Sequence, residues 1–284
     1  MNLKDADKPP TADREPPRLC PRLRPRALVM AAAAFSLSFA SAAQAPATPL
    51  DDGVEQYRSH LVADVDRTLQ SAQALRASAA AGDAAAAKRA WLDARVGWER
   101  SEVFTAPFVP ELDRAIDAWP NGSAGFHAIE AKLFGAGRTD FAGEADELVR
   151  NLIELSARAR GTPLTSQGLF DGVVRLTYEV GESKVDGGES RVSGTSLDDM
   201  RNNVDGVDLA WRAIFSPPVA ARDRGLDADI RRGIDALKAM VAVRDLKLID
   251  PDKLRTATEE LALRLQNAAP LLDLKKPALE AGGL

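Results

Sequence analysis

Apolar residues recur at helical spacing along almost the whole chain after its first fifty positions. Tyr57, Leu61 and Val65 follow one another at intervals of four residues, and this spacing places them on one face of a helix. The apolar positions within 196–215 alternate by three and four, which is typical of a helix that packs in a bundle. No segment alternates convincingly between apolar and polar residues over six positions, so we expect no β-sheet.

Turn and capping residues divide this pattern into separate helices. Asp83 is expected to cap the helix that follows it, and Ser196, with Asp199 in the capping-box position, is expected to cap another. Pro107 with Pro110, and Pro217 with Pro218, are expected to end the helices that precede them. We therefore expect helices over 54–81, 84–104, 111–118, 124–134, 142–159, 167–180, 196–215, 226–243 and 253–267. This many helices, joined by mostly short loops, predicts an all-α protein built from helix bundles.

A polar, glycine-rich stretch interrupts the helices at 181–196. Its composition is typical of an exposed loop. Together with the loop near residue 120, it marks a candidate boundary between two halves of the protein.

The first 45 residues are expected to be a signal peptide with an N-terminal extension. Arg22, Arg24 and Arg26 precede an uncharged run over 27–40, and small residues follow it, which is the pattern of a secretory signal. Cleavage is expected between about residues 42 and 47, so that 46–284 is the exported part. The run is shorter than the roughly 20 apolar residues of a membrane span, and a retained N-terminal anchor is the alternative.

The exported part is acidic and contains no cysteine. Residues 46–284 carry 30 basic and 38 acidic side chains, a net charge of −8, which argues against nucleic acid and anionic membranes as partners. The chain's single cysteine is Cys20. Disulfide bonds and thiolate metal sites are therefore not expected in the exported part.

The two histidines of the chain have different neighbours. His127 and Glu130 are three residues apart, so a helix places both on one face, within reach of one metal ion. The alternative for this pair is a hydrogen bond on the helix surface. His60 has no carboxylate at ligand spacing and is interpreted as an ordinary helix residue.

Two further acidic pairs precede His127 in the sequence. Glu99 and Glu102 are three residues apart, and Asp113 and Asp117 are one turn apart. The alternative for these pairs is solvated surface charge, with Arg95 pairing to Glu99. If the pairs converge in one cleft, their mutual repulsion favours a cation between them.

The ligand types narrow the choice of metal. Several carboxylate oxygens with one imidazole suit hard or borderline ions, so iron, copper and zinc all remain possible and fit better than cuprous ion. Calcium and magnesium usually take oxygen ligands alone, and the imidazole counts against them.

Four segments together resemble one protein family. The segments WLDARVGWERSE, ELDRAID, GFHAIEAKLFG and GESRVSGTSLDDMRNNVDGV are similar to those of the imelysin family, and most of all to its iron-uptake branch, the periplasmic EfeO and EfeM proteins. The resemblance covers most of 54–270, and the chain is similar to the short form without a cupredoxin domain. It implies two helix bundles with a cleft between them, divided near 160–190, and a metal site beside the His-x-x-Glu helix.

The resemblance also implies the ligands and the function. The implied ligands are Glu99, Glu102, His127 and Glu130, with Asp113 or Asp117, and Glu179. The implied function is a monomeric periplasmic protein that binds iron and delivers it to an inner-membrane permease, with a periplasmic peroxidase as a further partner. The loop residues Glu182, Glu189, Ser190 and Arg191 belong to the same match and are expected to line the cleft, with a mobile linker as the alternative.

Two other functions compete with iron binding. The member that gave the family its name suggests a metallopeptidase, but the usual His-Glu-x-x-His helix of zinc peptidases is absent from this sequence. A protein that binds acidic polysaccharide through a bridging metal is the third possibility. Aromatic residues make up only 5% of the chain, and this counts against a sugar-binding cleft.

Overall fold

The computed structural model describes residues 49–119, 122–185 and 187–278. Within these ranges the protein is helical and has no β-strand, which confirms the all-α prediction. The helices, in chain order, are α1 (Pro49–Ala80), α2 (Ala84–Phe108), α3 (Pro110–Ile116), α4 (Gly125–Glu130), α5 (Ala142–Gly161), α6 (Ser166–Glu182), α7 (Ser196–Ala210), α8 (Ser216–Arg222), α9 (Arg224–Val241) and α10 (Pro251–Ala268). A π-helical turn follows α4 (Ala131–Gly135) and another follows α7 (Trp211–Phe215), while short 3₁₀ turns occupy Leu246–Leu248 and Ala269–Leu272.

Helix α2 lies at the centre of the packing. It contacts α1 on one side and α6 and α7 on the other, and α1 also packs against α5. Helices α6, α7, α9 and α10 contact one another in a ring, so that each packs against two of the others. The protein is therefore built from two groups of helices, one containing α1, α2 and α5 and the other a four-helix bundle.

Glycine allows helix α2 to approach its neighbours closely. A Cβ atom at Gly97 would lie 2.3 Å from the backbone oxygen of Asp64 in α1, and one at Gly206 of α7 would lie 2.7 Å from that of Arg100. Larger residues at these positions would force the helices apart. The absence of these Cβ atoms thus lets α2 pack closely against both α1 and α7.

The prolines and caps met the sequence-based expectations only in part. The carboxylate of Asp83 accepts a hydrogen bond from the backbone N–H of Ala86, as predicted. Pro107 lies inside α2, so the predicted end at this proline is wrong. The helix ends at Phe108, before Pro110 begins α3, as predicted for the second proline. Pro217 lies in the first turn of α8, where a missing N–H costs no helical hydrogen bond.

Helix α7 begins without the predicted capping box. Ser196 is its first residue and Thr195 precedes it, and neither side chain caps the helix. The carboxylate of Asp199 instead forms an ion pair with Arg95. A capping-box pattern therefore predicted the start of this helix to within a residue but assigned the wrong role to Asp199.

Two predictions about chain organisation remain predictions. The expected signal peptide in 1–45 lies outside the described residues. The described helices belong to one compact unit, and the division into two domains near 160–190 stays a prediction. Of the helices in the described part, none is both long and apolar enough to cross a lipid bilayer.

Candidate metal centre

A glycine turn brings α3 and α4 together. Gly125 has a φ of +61°, and a Cβ atom there would lie only 1.9 Å from the carbonyl oxygen of Ile116. Only glycine fits a position that combines this backbone conformation with such a close approach. An isolated antiparallel bridge joins Asp117 to Gly125, so the end of α3 is fixed against the first turn of α4, which carries His127.

His127 lies between two carboxylates and is buried. Its Nδ1 is 2.9 Å from Oε2 of Glu130, and its Nε2 is 3.0 Å from Oδ1 of Asp117. The contact of Nε2 lacks hydrogen-bond geometry, although the atom is shielded from solvent. Burial alone would lower the pKa of His127, but the charge of the nearby Asp117 carboxylate and the hydrogen bond to Glu130 outweigh burial and raise this pKa to about 10.

Glu130 holds the histidine ring in place. Its Oε1 accepts hydrogen bonds from the backbone N–H of Ser193 at 2.7 Å and from the Ser193 hydroxyl at 2.6 Å. Its Oε2 is the atom that contacts His127. Because both oxygens of Glu130 already have partners, this carboxylate is placed to orient the imidazole, as carboxylates behind metal-binding histidines commonly do.

Glu99 and Glu102 project from α2 towards a buried lysine. Oε2 of Glu99 is 2.6 Å from Nζ of Lys184, and Oε2 of Glu102 is 3.6 Å from the same atom. The Asn203 side-chain amide donates to both carboxylates, at 2.8 and 2.5 Å. Burial and the neighbouring charge of Glu99 hold the pKa of Glu102 well above its usual range.

Arg95 is the second cation among these carboxylates. It forms ion pairs with Glu99, with Asp117 at 2.8 Å, with Asp199 at 3.2 Å and with Glu189 at 3.7 Å. The predicted pairing of Arg95 with Glu99 is therefore present, but both side chains are buried, so the pair does not belong to a solvated surface. Burial would raise the pKa of Asp117, yet the charges of Arg95 and His127 outweigh it and hold this pKa well below its usual range.

Two groups of described side chains present converging ligand atoms. One group is Asp117, His127 and Glu189, and the other is Glu99, Glu102 and Asp117. Within each group the candidate ligand atoms lie within 4.8 Å of one another. Asp117 belongs to both groups, so its carboxylate lies near both the imidazole of His127 and the glutamates of α2.

Three of the residues implied by the resemblance lie outside these groups. Glu130 contacts His127 from behind, as described above. Asp113 accepts a hydrogen bond from Thr105 and lines a surface cavity of about 930 Å³, and burial raises its pKa. Glu179 is hydrogen-bonded to Arg175, four residues earlier in α6.

The loop between α6 and α7 supplies Glu189 and Ser190, which were expected to line the cleft, and Lys184 and Thr195, which sequence reasoning missed. Lys184, Glu189, Ser190 and Thr195 are buried, whereas Arg191 is exposed. The predicted exposed loop is thus wrong for the part that covers the carboxylates. Glu189 stands within the segment GESRVSGTS that carries the resemblance, and this was the available signal for it.

This arrangement offers converging ligand atoms of the kind that metal ions take. The two groups offer several carboxylate oxygens and one imidazole nitrogen, a set that suits iron, copper or zinc. The buried Nε2 of His127, which lacks a hydrogen-bond partner, fits this use, because a neutral imidazole binds a metal through such a nitrogen. The charges of Arg95 and Lys184 already compensate part of the cluster.

The comparisons with known proteins identify the family. The family model described as imelysin matches residues 53–124 and 121–272. The chain therefore belongs to the imelysin family.

Its relatives include proteins named for iron uptake. The chain is 33% identical to the iron uptake system component EfeO of Yersinia pseudotuberculosis, over 60% of this chain and 49% of that protein. It is 27% identical to the iron uptake system component EfeM of Pseudomonas syringae, over 71% of this chain and 74% of that protein. It is 28% identical to an Efem/EfeO family lipoprotein of Staphylococcus haemolyticus, over 68% and 70% of the two chains. The chain thus spans about half the length of the EfeO protein.

Proposed function

We propose that the protein binds iron through Asp117, His127 and the neighbouring glutamates, and that it acts in iron uptake. The main support for this proposal is that the carboxylate of Asp117 lies in both groups of converging ligand atoms. An ion held there would contact the imidazole on one side and the carboxylates of α2 on the other. Glu189, from the loop over the site, completes the first group.

The chemistry of the site supports a cation as its ligand. Six carboxylates lie in or beside the cluster, those of Glu99, Glu102, Asp117, Glu130, Glu189 and Asp199. The cationic groups among them are Arg95, Lys184 and the protonated His127. A bound ion would relieve the remaining repulsion, and His127 would release its proton because a metal binds the neutral ring.

The relatives support the biological role. Proteins that are similar to this chain are named as components of iron uptake systems, and others are named as lipoproteins. We infer that this protein works outside the cytoplasm, in the periplasm, and passes its ion to an inner-membrane permease. A periplasmic peroxidase is a further proposed partner.

The two histidines provide a matched test of the metal site. Calorimetric titration of the metal-free protein with Fe³⁺ supplied as citrate, with anaerobic Fe²⁺, and with Cu²⁺ and Zn²⁺ is expected to show saturable binding that is strongest for iron. His127→Gln should weaken it by at least about tenfold, since even residues behind a metal ligand are worth that much. His60→Gln, which removes the exposed histidine, should leave it unchanged.

The outcomes separate the candidate functions. Wild-type protein that binds none of these ions would refute the proposal. If His127→Gln and His60→Gln lose equal metal affinity, His127 is not a specific part of the metal site. Metal-dependent cleavage of a peptide library would favour the peptidase alternative, but the burial of His127 and Glu99 supports sequestration, because a hydrolytic site keeps one position open to water and substrate.

A further inference from the structure

Lys184 places a buried ammonium group among the candidate ligands. Its side chain is 3% exposed, and Nζ lies 2.6 Å from Glu99, 3.0 Å from Glu189 and 3.6 Å from Glu102. These three carboxylates come from both groups of converging ligand atoms. Lys184 therefore holds the same oxygens that an ion would need.

The two buried cations of the site differ in their freedom to move. Arg95 projects from the middle of α2, with its guanidinium 5.6 Å from the ring centre of Trp91 and 5.3 Å from that of Phe126. Lys184 stands two residues beyond the end of α6, in the loop that leads to α7. A lysine is a compact charge on a flexible stem, whereas the planar guanidinium is fixed by its several partners. Of the two side chains, Lys184 is therefore the one that can more easily move away from the carboxylates.

Glu99 and Glu189 already pair with both Arg95 and Lys184. A metal ion on the same oxygens would add further positive charge beside the ammonium group, and repulsion between like charges is strong in a buried site. We propose, resting on the metal-binding function proposed above, that Lys184 is an internal competitor of the bound ion. Its ammonium group neutralises Glu99, Glu102 and Glu189 in the metal-free protein and is displaced from them when the ion binds. When the ion leaves, the ammonium group returns to the carboxylates.

This competition sets the affinity of the site and helps release. Displacing Lys184 costs the same for every ion that takes the same position, so it lowers affinity without choosing between ions. The returning ammonium group also stabilises the metal-free protein, and this suits a protein that must pass its ion on.

Substitution of Lys184 tests the direction of the effect. Lys184→Met keeps most of the stem and removes the charge, so it should tighten iron binding by about tenfold or more, because the removed repulsion exceeds the energy of a tenfold change in the dissociation constant. It should also slow iron dissociation and lower the melting temperature of the metal-free protein. Lys184→Arg restores a positive charge and should bind iron more weakly than Lys184→Met.

The control is Lys238→Met. Lys238 also pairs with two carboxylates, those of Asp205 and Asp208, and its loss changes the net charge of the protein equally. This variant should bind iron as the wild type does. If Lys184→Met binds iron more weakly than the wild type, Lys184 orders the ligands instead of competing with the ion, and the proposal is overturned. If the wild type binds no iron, the proposed metal-binding function is refuted, and the competitor role of Lys184, which rests on it, is refuted with it.

A measurement on wild-type protein covers the case in which Lys184→Met does not fold. The rate at which an acetylating reagent modifies Lys184 can be followed by mass spectrometry, with and without Fe³⁺ citrate at constant pH. Iron should raise the rate at Lys184, which is buried without it, and leave the rate at Lys238 unchanged. A Lys184 that stays equally protected when iron is bound would overturn the displacement.

Discussion

Two regions of this protein combine a histidine with several carboxylates, but they differ in the burial of the histidine and in whether the ligand atoms converge. His127 is buried and faces Asp117 and Glu130 at about hydrogen-bond distance. His60 is exposed at the edge of a surface cavity of about 420 Å³ on α1, which is also lined by Asp64, Asp205 and Asp208. Asp64 stands one helical turn after His60, so the interpretation that His60 has no carboxylate at ligand spacing is wrong. Similar residue types thus occur in both regions.

Positive side chains separate the carboxylates around His60. Asp208 pairs with Arg212 and with Lys238, and Asp205 pairs with Arg100. No group of three converging ligand atoms occurs there within the part of the chain that the structure describes.

Around His127 the carboxylates converge on one another and share two buried cations. A metal site is therefore defined by where ligand atoms meet and by how incompletely their charges are paired. Histidine and aspartate side chains in one neighbourhood are not sufficient. Substitutions that disturb the convergence of carboxylates at His127 should therefore change iron binding or stability.

The largest effect is expected at the turn that creates the convergence. Gly125→Ala places a Cβ atom against the backbone of Ile116 and should lower the free energy of unfolding by roughly 3 kcal/mol or more, at the upper end for single substitutions. It should also reduce iron binding, because Asp117 and His127 are held together by this turn. Urea denaturation and calorimetry measure the two effects.

Gly143→Ala is the matched control. Gly143 lies exposed in the first turn of α5, and a Cβ atom there would meet nothing within 4 Å. It should change stability by less than about 1 kcal/mol, in the stabilising direction expected for alanine in a helix. If Gly125→Ala is equally harmless, the turn does not create the site.

Sequence reasoning predicted the helices because each buries one stripe of apolar residues, and the repeat of such a stripe is local. It also paired Glu99 with Glu102 and His127 with Glu130, since residues three apart share a helix face. It could not choose between Asp113 and Asp117. That choice depends on the bridge between Asp117 and Gly125, which joins the ends of two helices.

The covering loop shows the limit of local patterns. Lys184 and Glu189 stand in a polar, glycine-rich segment whose composition is typical of exposed loops. They are buried because their charges pair with groups on α2, more than eighty residues away in sequence. Long-range ion pairs leave no periodic signal, and only the resemblance to a family indicated that this segment belongs to the site.

A smaller effect is expected where the loop supports the histidine. Ser193→Ala removes the hydroxyl bond to Glu130 and leaves the backbone N–H bond in place. Iron affinity should fall by less than about tenfold, because about tenfold is the lower end for a residue that orients a metal ligand directly and Ser193 acts through Glu130. Ser59→Ala, beside His60, should not change it. Unaltered binding by Ser193→Ala would mean that Glu130 needs no support from the loop.

The smallest effect concerns the pH dependence of stability in metal-free protein. The pKa of His127 is raised to about 10 in the folded state, against about 6.5 in an unfolded chain, so folding stabilises the protonated ring. This stabilisation is fully present below about pH 6.5 and is lost as the pH rises through about 10. In urea denaturation with a chelator, wild type should exceed His127→Gln by at least about 1 kcal/mol at pH 6, and the difference should shrink towards pH 10. A parallel His60→Gln series measures the contribution of an exposed imidazole. A difference between wild type and His127→Gln that stays constant over this range would mean that His127 is not held protonated between Asp117 and Glu130, and the contrast between the two histidines would then rest on position alone.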